Sequence, residues 1–472
     1  MTAPPLTGPA RVATGHAARS LRSRRSLADW SPAPDRPDPV AALLAQEPPR
    51  IPALLPLRHA RMAATPFAFY RGSAVVMATD LAGRPATGLD VRLSGDAHLS
   101  NFGFFAAADR RVVFDLDDFD ESLPGPFEWD LLRLATSCIL AAREMGASQG
   151  VGLTAARQAG AAYRQSVRER AARTALTNWY AREDALALGA WVKRDRLGRV
   201  MRTDLRKDRA AARGLTTWSA VTSLTKGDGP TRRFVDKAPT VVRLGLTSPV
   251  GRAVVDIVEH YVAASPPARR EAMSRYFIVD VGHKVVGVGS VGLMDFIVLL
   301  RGPIRDDLVI LQVKQAQESA LSGVTQVPVE GSYADRVVTS AALIQPDPDV
   351  FLGSTRSATG VPFYVRQLRD MKWAPDLTTL TSAGLVEYAQ LCGHTLARSH
   401  ARTGDVLALD AYLGRSGRVE RAAGDFAVAY AKQVRSDAAT FRAATKEGSV
   451  SSATTVDGDE LVAGLATALG LG

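Results

Sequence analysis

Cysteine is nearly absent: 472 residues contain two, Cys138 and Cys392, and both stand in apolar helical patterns. That excludes a disulfide framework and a cysteine-held zinc, and makes a reducing cytosol the expected home. Long apolar runs are missing as well. The greasiest stretch, 285–300, is interrupted by glycines and Asp295 and is too short to span a bilayer. The N-terminal arginines, Arg11, Arg19, Arg22, Arg24 and Arg25, are not followed by the apolar core of a secretory signal. No internal repeat is visible. Aromatic residues are sparse in the most basic segment, Lys193 to Arg213, so it offers no stacking platform for single strands and reads as a solvated basic face. A soluble cytoplasmic chain with no membrane partner is expected, and nucleic acid is not an expected ligand.

What is present is a large apolar fraction, 46%, in a chain long enough for two lobes. The formal charge of +10 and pI near 9.8 permit an anionic partner such as a nucleotide or phosphorylated metabolite without choosing among them. The expected fold class is α+β. Residues 1–50, rich in Pro, Arg and Ala, read as an extended arm, 51–270 as a helical lobe carrying the polar motifs, and 271–375 as a β-rich lobe. Helices over 376–445 complete the helical lobe, and 446–472 form a tail.

The informative stretch is Ser94-Gly-Asp-Ala-His-Leu-Ser-Asn-Phe-Gly103 together with Val112-Val-Phe-Asp-Leu-Asp-Asp-Phe-Asp-Glu121. A short strand over 89–93 runs into a Gly95-Asp96 turn, Asn101 follows five positions later, and a return strand over 111–117 delivers Asp115, Asp117, Asp118, Asp120 and Glu121. Alone, the acidic run reads as a solvated hairpin tip. Carboxylates this dense repel one another unless a cation or arginine neutralises them. In phosphoryl transfer one Asp orients or deprotonates the attacking hydroxyl, and an Asn and a second Asp hold metal. After Pro124-Gly-Pro126, Glu128-Trp-Asp130 reads as the cap of a helix whose apolar face includes Leu131, Leu134, Cys138 and Ala142. Residues 58–72 mix aromatics with arginines that could hold a guanidinium near an acidic site.

The second region begins at Phe277. A strand to Val286, the glycine run Gly287-Val-Gly289-Ser-Val-Gly292, a strand to Leu300 and a strand Asp307 to Lys314 follow in turn. A lone G-x-G-x-x-G is weak evidence. Strand, glycine loop, strand, turn and strand ending in lysine is nevertheless the layout of a kinase-type nucleotide lobe. A further strand, 363–369, could connect the lobes. In the helix ending at Gly404, His400 reads as a packed or capping residue.

These motifs, with Arg58-His-Ala-Arg-Met62, Phe69-Tyr-Arg-Gly72 and Ala397-Arg-Ser-His-Ala-Arg402, resemble the bacterial family known as domain of unknown function 2252. That family is similar to protein-kinase-like and aminoglycoside-phosphotransferase-like enzymes. The resemblance implies a two-lobed kinase-like fold. It matches Asp96 to the catalytic aspartate, and Asn101 and Asp118 to the metal-binding pair. Asp130 corresponds to the buried aspartate that steadies the catalytic loop, and Gly287, Gly289, Gly292 and Lys314 to the nucleotide loop and its lysine. The catalytic loop precedes the nucleotide lobe here, the reverse of the kinase order, so a circular permutation is implied. The expected activity is ATP- and Mg2+-dependent phosphotransfer to an unidentified cytoplasmic acceptor, with adenylyl transfer open. Thr339 stands where the family's acidic partner for the lysine is expected, with Glu318 or Glu330 as substitutes. That departure keeps a nucleotide-binding pseudokinase in view; a metal-dependent hydrolase using Asp96, His98, Asp115 and Asp118 is the other alternative.

Overall fold

Alternating and β-branched runs in the middle of the chain assemble one antiparallel sheet. The computed structural model describes residues 7–183, 218–285, 287–305, 307–325, 327–329, 331–368 and 374–471. The basic segment Lys193 to Arg213, and Glu330, lie outside the described residues.

Two short ladders carry the polar motifs. Strands β1 (Asp90–Arg92) and β4 (Pro124–Pro126) pair antiparallel and close off the excursion between them, inside which β2 (Phe102–Ala106) and β3 (Val112–Leu116) form a hairpin. Small strands β5 (Thr225–Lys226) and β6 (Arg233–Phe234) pair with each other. The large sheet then takes β7 (Val241–Arg243), β8 (Phe277–Lys284), β9 (Asp295–Arg301) and β10 (Leu308–Gln315) as a meander. It is completed by β12 (Pro362–Gln367) beside β10 and β11 (Gly353–Arg356) at the edge.

Burial explains the near-continuous apolar reading of β9 and β10. One face of the sheet packs through Phe296, Val298, Leu311 and Val313 against the helix Pro249–Ala264 and the C-terminal helix Gly458–Ala468. The other face has a smaller cluster of Ile297, Leu299 and Ile310 with Val221 and Phe234. Strands covered on both faces lose the in-out alternation.

A separate core belongs to the helices. The helix Phe127–Glu144 is buried over nearly its whole length and packs, with Gln149–Ala171, Ser382–Thr403 and Arg418–Glu447, into a bundle. Close approach is bought at Gly393, where a side chain would strike the backbone of Ala159 on the facing helix. The fold is therefore α+β, with a sheet-centred and a helix-centred core.

Two expectations fail locally. Residues 8–21, read as part of an extended arm, form the helix Gly8–Leu21 packed on Val406–Leu413. Pro9 falls in the first turn, where a missing N–H is harmless, and Pro32, Pro34, Pro37 and Pro39 lie beyond the helix end. The helix Phe127–Glu144 is not capped by Glu128 and Asp130: Pro126 is at the N-cap, and both carboxylates are buried against other segments. Among the described residues no helix is long and apolar enough to cross a membrane.

Candidate active site

The turn at Asp96 is built around a carboxylate beneath it. Asp130 accepts the main-chain N–H groups of Ser94 (2.7 Å) and Gly95 (3.0 Å), so its two oxygens fix the turn from below. Gly95 is at φ +80° and a Cβ there would run into the Glu121 carbonyl, which ties this glycine to the end of the acidic run. His400, on the helix Ser382–Thr403, links Tyr163 (2.8 Å) to Asp130 (3.2 Å) and so braces the brace.

Asp96 itself is gripped on one oxygen. Arg133, one helical turn after Asp130, sets its Nε 2.5 Å from Asp96 Oδ1, and also donates to the Tyr70 carbonyl at 2.9 Å. The second oxygen, Oδ2, has the His98 Nε2 at 3.5 Å, too long for a hydrogen bond. Removal from water raises the Asp96 pKa against the opposing pull of Arg133. Burial, with Arg71 and Arg133 nearby, holds the His98 pKa well below the ordinary range, so the ring is neutral.

Asn101 ends the loop. Its Nδ2 donates to the Asp96 carbonyl at 2.8 Å, leaving the side-chain oxygen for another partner. Its own carbonyl accepts the Asp117 N–H at 3.2 Å, continuing the β2–β3 ladder and setting Asp118 just beyond it. Hairpin geometry thus brings Asn101 and Asp118 to one end of the same ladder.

The acidic run is divided between jobs. Asp115 is buried in an ion pair with Arg398 of the helix Ser382–Thr403, and removal from water lifts its pKa to about 6. Asp120 pairs with Lys314 at the end of β10 and accepts the Tyr364 hydroxyl from β12 at 2.9 Å. Burial would raise the Asp120 pKa, but Lys314 and Tyr364 hold it below the ordinary value. Burial is the strongest single influence on Lys314 and would lower its pKa, but Asp120, Tyr364, Asp118 and Asp295 together hold it well above its ordinary value. Asp118 accepts the Asp120 N–H at 3.2 Å, and burial and the neighbouring Asp120 charge raise its pKa. Arg366 of β12 donates to the Asp117 carbonyl (3.1 Å) and to Gln312 (2.8 Å), which in turn holds Asp295. Asp295 is pushed up to about 6 by burial.

The structure therefore brings Lys314 to the Asp118–Asp120 turn across 194 residues of chain. Lys314's acidic partner is Asp120. The residue expected to be its missing partner, Thr339, is exposed on the outer face of the helix Tyr333–Ile344, whereas Arg336, Val337, Ser340 and Ile344 point inward. Glu318 is exposed too. Thr339 faces solvent and makes no ion pair with Lys314, whose charge is balanced by Asp120.

The glycine loop sits between β8 and β9. Gly287 and Gly292 take φ +65° and +97°, which suits glycine there. Arg61 donates to the Gly287 carbonyl (2.8 Å), and Arg50 to those of Gly289 (2.9 Å) and Val291 (2.6 Å). These contacts anchor the loop through carbonyls and use none of its N–H groups. At Gly289 a Cβ would lie 3.6 Å from the Arg71 carbonyl; burial lowers the Arg71 pKa, and the Asp96 charge opposes that. The guanidinium expected from residues 58–72 is thus Arg71.

Among the described residues no group of three or more His, Cys, Asp or Glu side chains forms a self-sufficient metal cage. The donor set fits Mg2+ all the same, because that ion binds through one or two carboxylates and completes its shell with water and substrate phosphates. Asp118 and the side-chain oxygen of Asn101 are the donors the ladder places together.

Nothing in the sequence gives Arg133, Tyr364 or Arg366 a role in the site, and Asp120 stands there only as one member of the acidic run. Arg133 carried a signal, being a charge inside an otherwise apolar helical run. The others depend on strand pairing that no local pattern reveals.

The family model described as "Uncharacterized protein conserved in bacteria (DUF2252)" matches residues 50–444. The chain belongs to this family. The matched span of this DUF2252 protein takes in the Asp96 turn, the acidic hairpin, the glycine loop and Lys314. No curated protein and no solved structure matches the chain.

Proposed function

We propose that this DUF2252 protein is an ATP- and Mg2+-dependent phosphotransferase acting on a hydroxyl-bearing acceptor, built as a two-lobed, kinase-like fold with its catalytic loop ahead of its nucleotide lobe in sequence. The observation that carries the reading is the convergence of Lys314, from the sheet, on the Asp118–Asp120 turn next to the Asp130-braced Asp96 loop.

Mg-ATP, when bound, supplies the transferable phosphoryl group and the metal charge that stabilises it. Asn101 and Asp118 would hold the metal. Lys314 would neutralise phosphate oxygens, with Asp120 keeping its ammonium charged and in place, and the N–H groups of the 287–292 loop would cover the phosphates. Asp96 acts by orientation more than by strong basicity. Its Oδ1 is tied to Arg133, which stabilises the ionised form, while Oδ2 is the acceptor left for a substrate hydroxyl. Positioning of this kind supplies much of the catalysis expected in phosphoryl transfer.

The Lys314–Asp120 pair, which gives the lysine an acidic partner despite Thr339, supports a working enzyme over a nucleotide-binding pseudokinase. The hydrolase reading needs Asp115, which is committed to Arg398. The test is turnover: purified protein with γ-labelled and α-labelled ATP, Mg2+ and a fractionated pool of small-molecule acceptors. Transfer of the γ label, abolished in Asp96→Asn, supports the proposal. Transfer of the α label would convert it to adenylyl transfer, and release of neither label to any acceptor, with nucleotide bound, would overturn it in favour of a binding protein.

A further inference from the structure

A second charged cavity lies at the surface formed by the N-terminal segment and the start of the long helix Arg418–Glu447. Its volume is about 880 Å3, and five arginines line it: Arg19, Arg24 and Arg25 from one wall, Arg418 and Arg421 from the other. The lining contains no aromatic residue.

Three features of this cavity are electrostatically unfavourable as they stand. First, the guanidinium groups crowd one another: burial, then Arg19 and Arg418, depress the Arg24 pKa. Second, Arg418 and Arg421 occupy the first turn of a 30-residue helix, where the helix dipole favours acidic side chains and disfavours basic ones. The one acid of that turn, Glu420, is drawn away to Arg164 at 2.8 Å, and the N-cap, Gly417, offers no side chain. Third, of the two acids in the lining, Asp425 is already paired with Arg157 at 2.9 Å. Local rules broken together at one concave place mark a functional site more often than an accident.

The positions of the arginines are nevertheless defined. Arg19 Nε donates to the Tyr412 carbonyl (3.1 Å) and Arg24 to that of Leu413 (3.0 Å), at the end of the helix Val406–Leu413. Each keeps further N–H donors for another partner. We infer that this cavity is a binding site for a small molecule bearing at least two adjacent phosphate groups, held by the arginines and the N-terminus of the helix Arg418–Glu447. Paired guanidinium forks match adjacent phosphates, a helix N-terminus adds N–H donors and positive potential, and the volume is that of a small-molecule site. Without an aromatic surface, the site reads the polyphosphate and not a base. The inference stands independently of the proposed phosphotransferase activity.

The experiment is calorimetric titration of the full chain with sodium tripolyphosphate in metal-free, low-salt buffer, alongside sulfate at equal ionic strength. Tripolyphosphate should bind and sulfate should bind far more weakly. Arg418→Ser/Arg421→Ser should weaken tripolyphosphate binding by about tenfold or more, since charge-assisted contacts of that order are lost. Arg25→Ser, in the opposite wall, should weaken it less. All three positions are exposed, so melting temperatures without ligand should be unchanged. Absence of binding, equal binding of sulfate, or undiminished binding in both variants would overturn the inference; the last would place tripolyphosphate elsewhere, the nucleotide loop included.

Discussion

The Asp96 turn and the glycine loop are both short turns containing glycine, and they are held in opposite ways. At Asp96 the loop's N–H groups are bound from below by the buried Asp130, its aspartate side chain is gripped by Arg133, and its glycine is hemmed in by the Glu121 carbonyl. At residues 287–292 the carbonyls are held by Arg50 and Arg61, and Gly287 and Gly289 face solvent. The first is a rigid mount for one carboxylate. The second would serve, on the proposed function, as a cover, since its anchors hold carbonyls and leave its N–H donors unclaimed. On the proposed function, rigidity falls where direction matters and exposure where the nucleotide would enter.

The largest expected effects fall on the rigid side. Asp130→Ala leaves two buried N–H donors without an acceptor and should lower unfolding free energy by about 3 kcal/mol, each orphaned donor costing about 1–3, read by urea denaturation. An equivalent loss should follow Lys314→Met, which strands Asp120 in a largely buried site, breaking a pair of this kind costing about 3–5 kcal/mol. The double variant Lys314→Met/Asp120→Asn should recover part of that loss. If the double variant is as unstable as the sum of the single ones, Lys314 and Asp120 are not the coupled pair described here.

Glycine substitutions sharpen the contrast further. Gly95→Ala must adopt φ +80° and displace the Glu121 carbonyl, and should destabilise by at least about 2 kcal/mol, beyond the roughly 1 kcal/mol of positive φ alone. Gly289→Ala meets only an ordinary contact at 3.6 Å and should change stability by less than about 0.5 kcal/mol. Equal effects at the two positions would erase the distinction between mount and cover.

The smallest effect is a pH dependence at Glu121. Glu121, which accepts the Ala320 N–H at 2.5 Å, has its pKa raised to about 7 by removal from water. Its folded-state pKa exceeds the unfolded value, so the folded state binds the extra proton between roughly pH 4.5 and 7. Its contribution to stability is therefore full below that window and declines as pH rises through it. Glu121→Gln should make denaturation midpoints less sensitive to pH over this range, with the gain over wild type larger at pH 8 than at pH 5. A constant difference at both pH values would show that Glu121 titrates normally.

Much of the sheet was legible because β8, β9 and β10 are built from β-branched and apolar residues bounded by turns. The Asp96 turn was legible as a turn because a short strand runs directly into Gly95. What could not be read was tertiary pairing. Glu128 and Asp130 look like cap residues by position, and only the fold turns them onto Thr87 and the Ser94–Gly95 backbone. Asp120 looked like one more acid in a run until β10 and β12 delivered Lys314 and Tyr364 to it. Thr339 is different, because the periodicity was there to be used. The inward face Arg336, Val337, Ser340 and Ile344 follows the helical repeat and leaves position 339 outside.

The central claim is that Asp118, on the hairpin, and the lysine-bearing sheet form one nucleotide site. Thermal unfolding of wild type and Asp118→Asn, each with and without Mg-ATP, tests it most directly. The account predicts that Mg-ATP raises the wild-type melting temperature and that this shift needs the metal and is largely lost in Asp118→Asn, whose melting temperature without ligand stays near wild type. An unchanged shift in Asp118→Asn, or no response of the wild type to Mg-ATP at millimolar concentration, would contradict it.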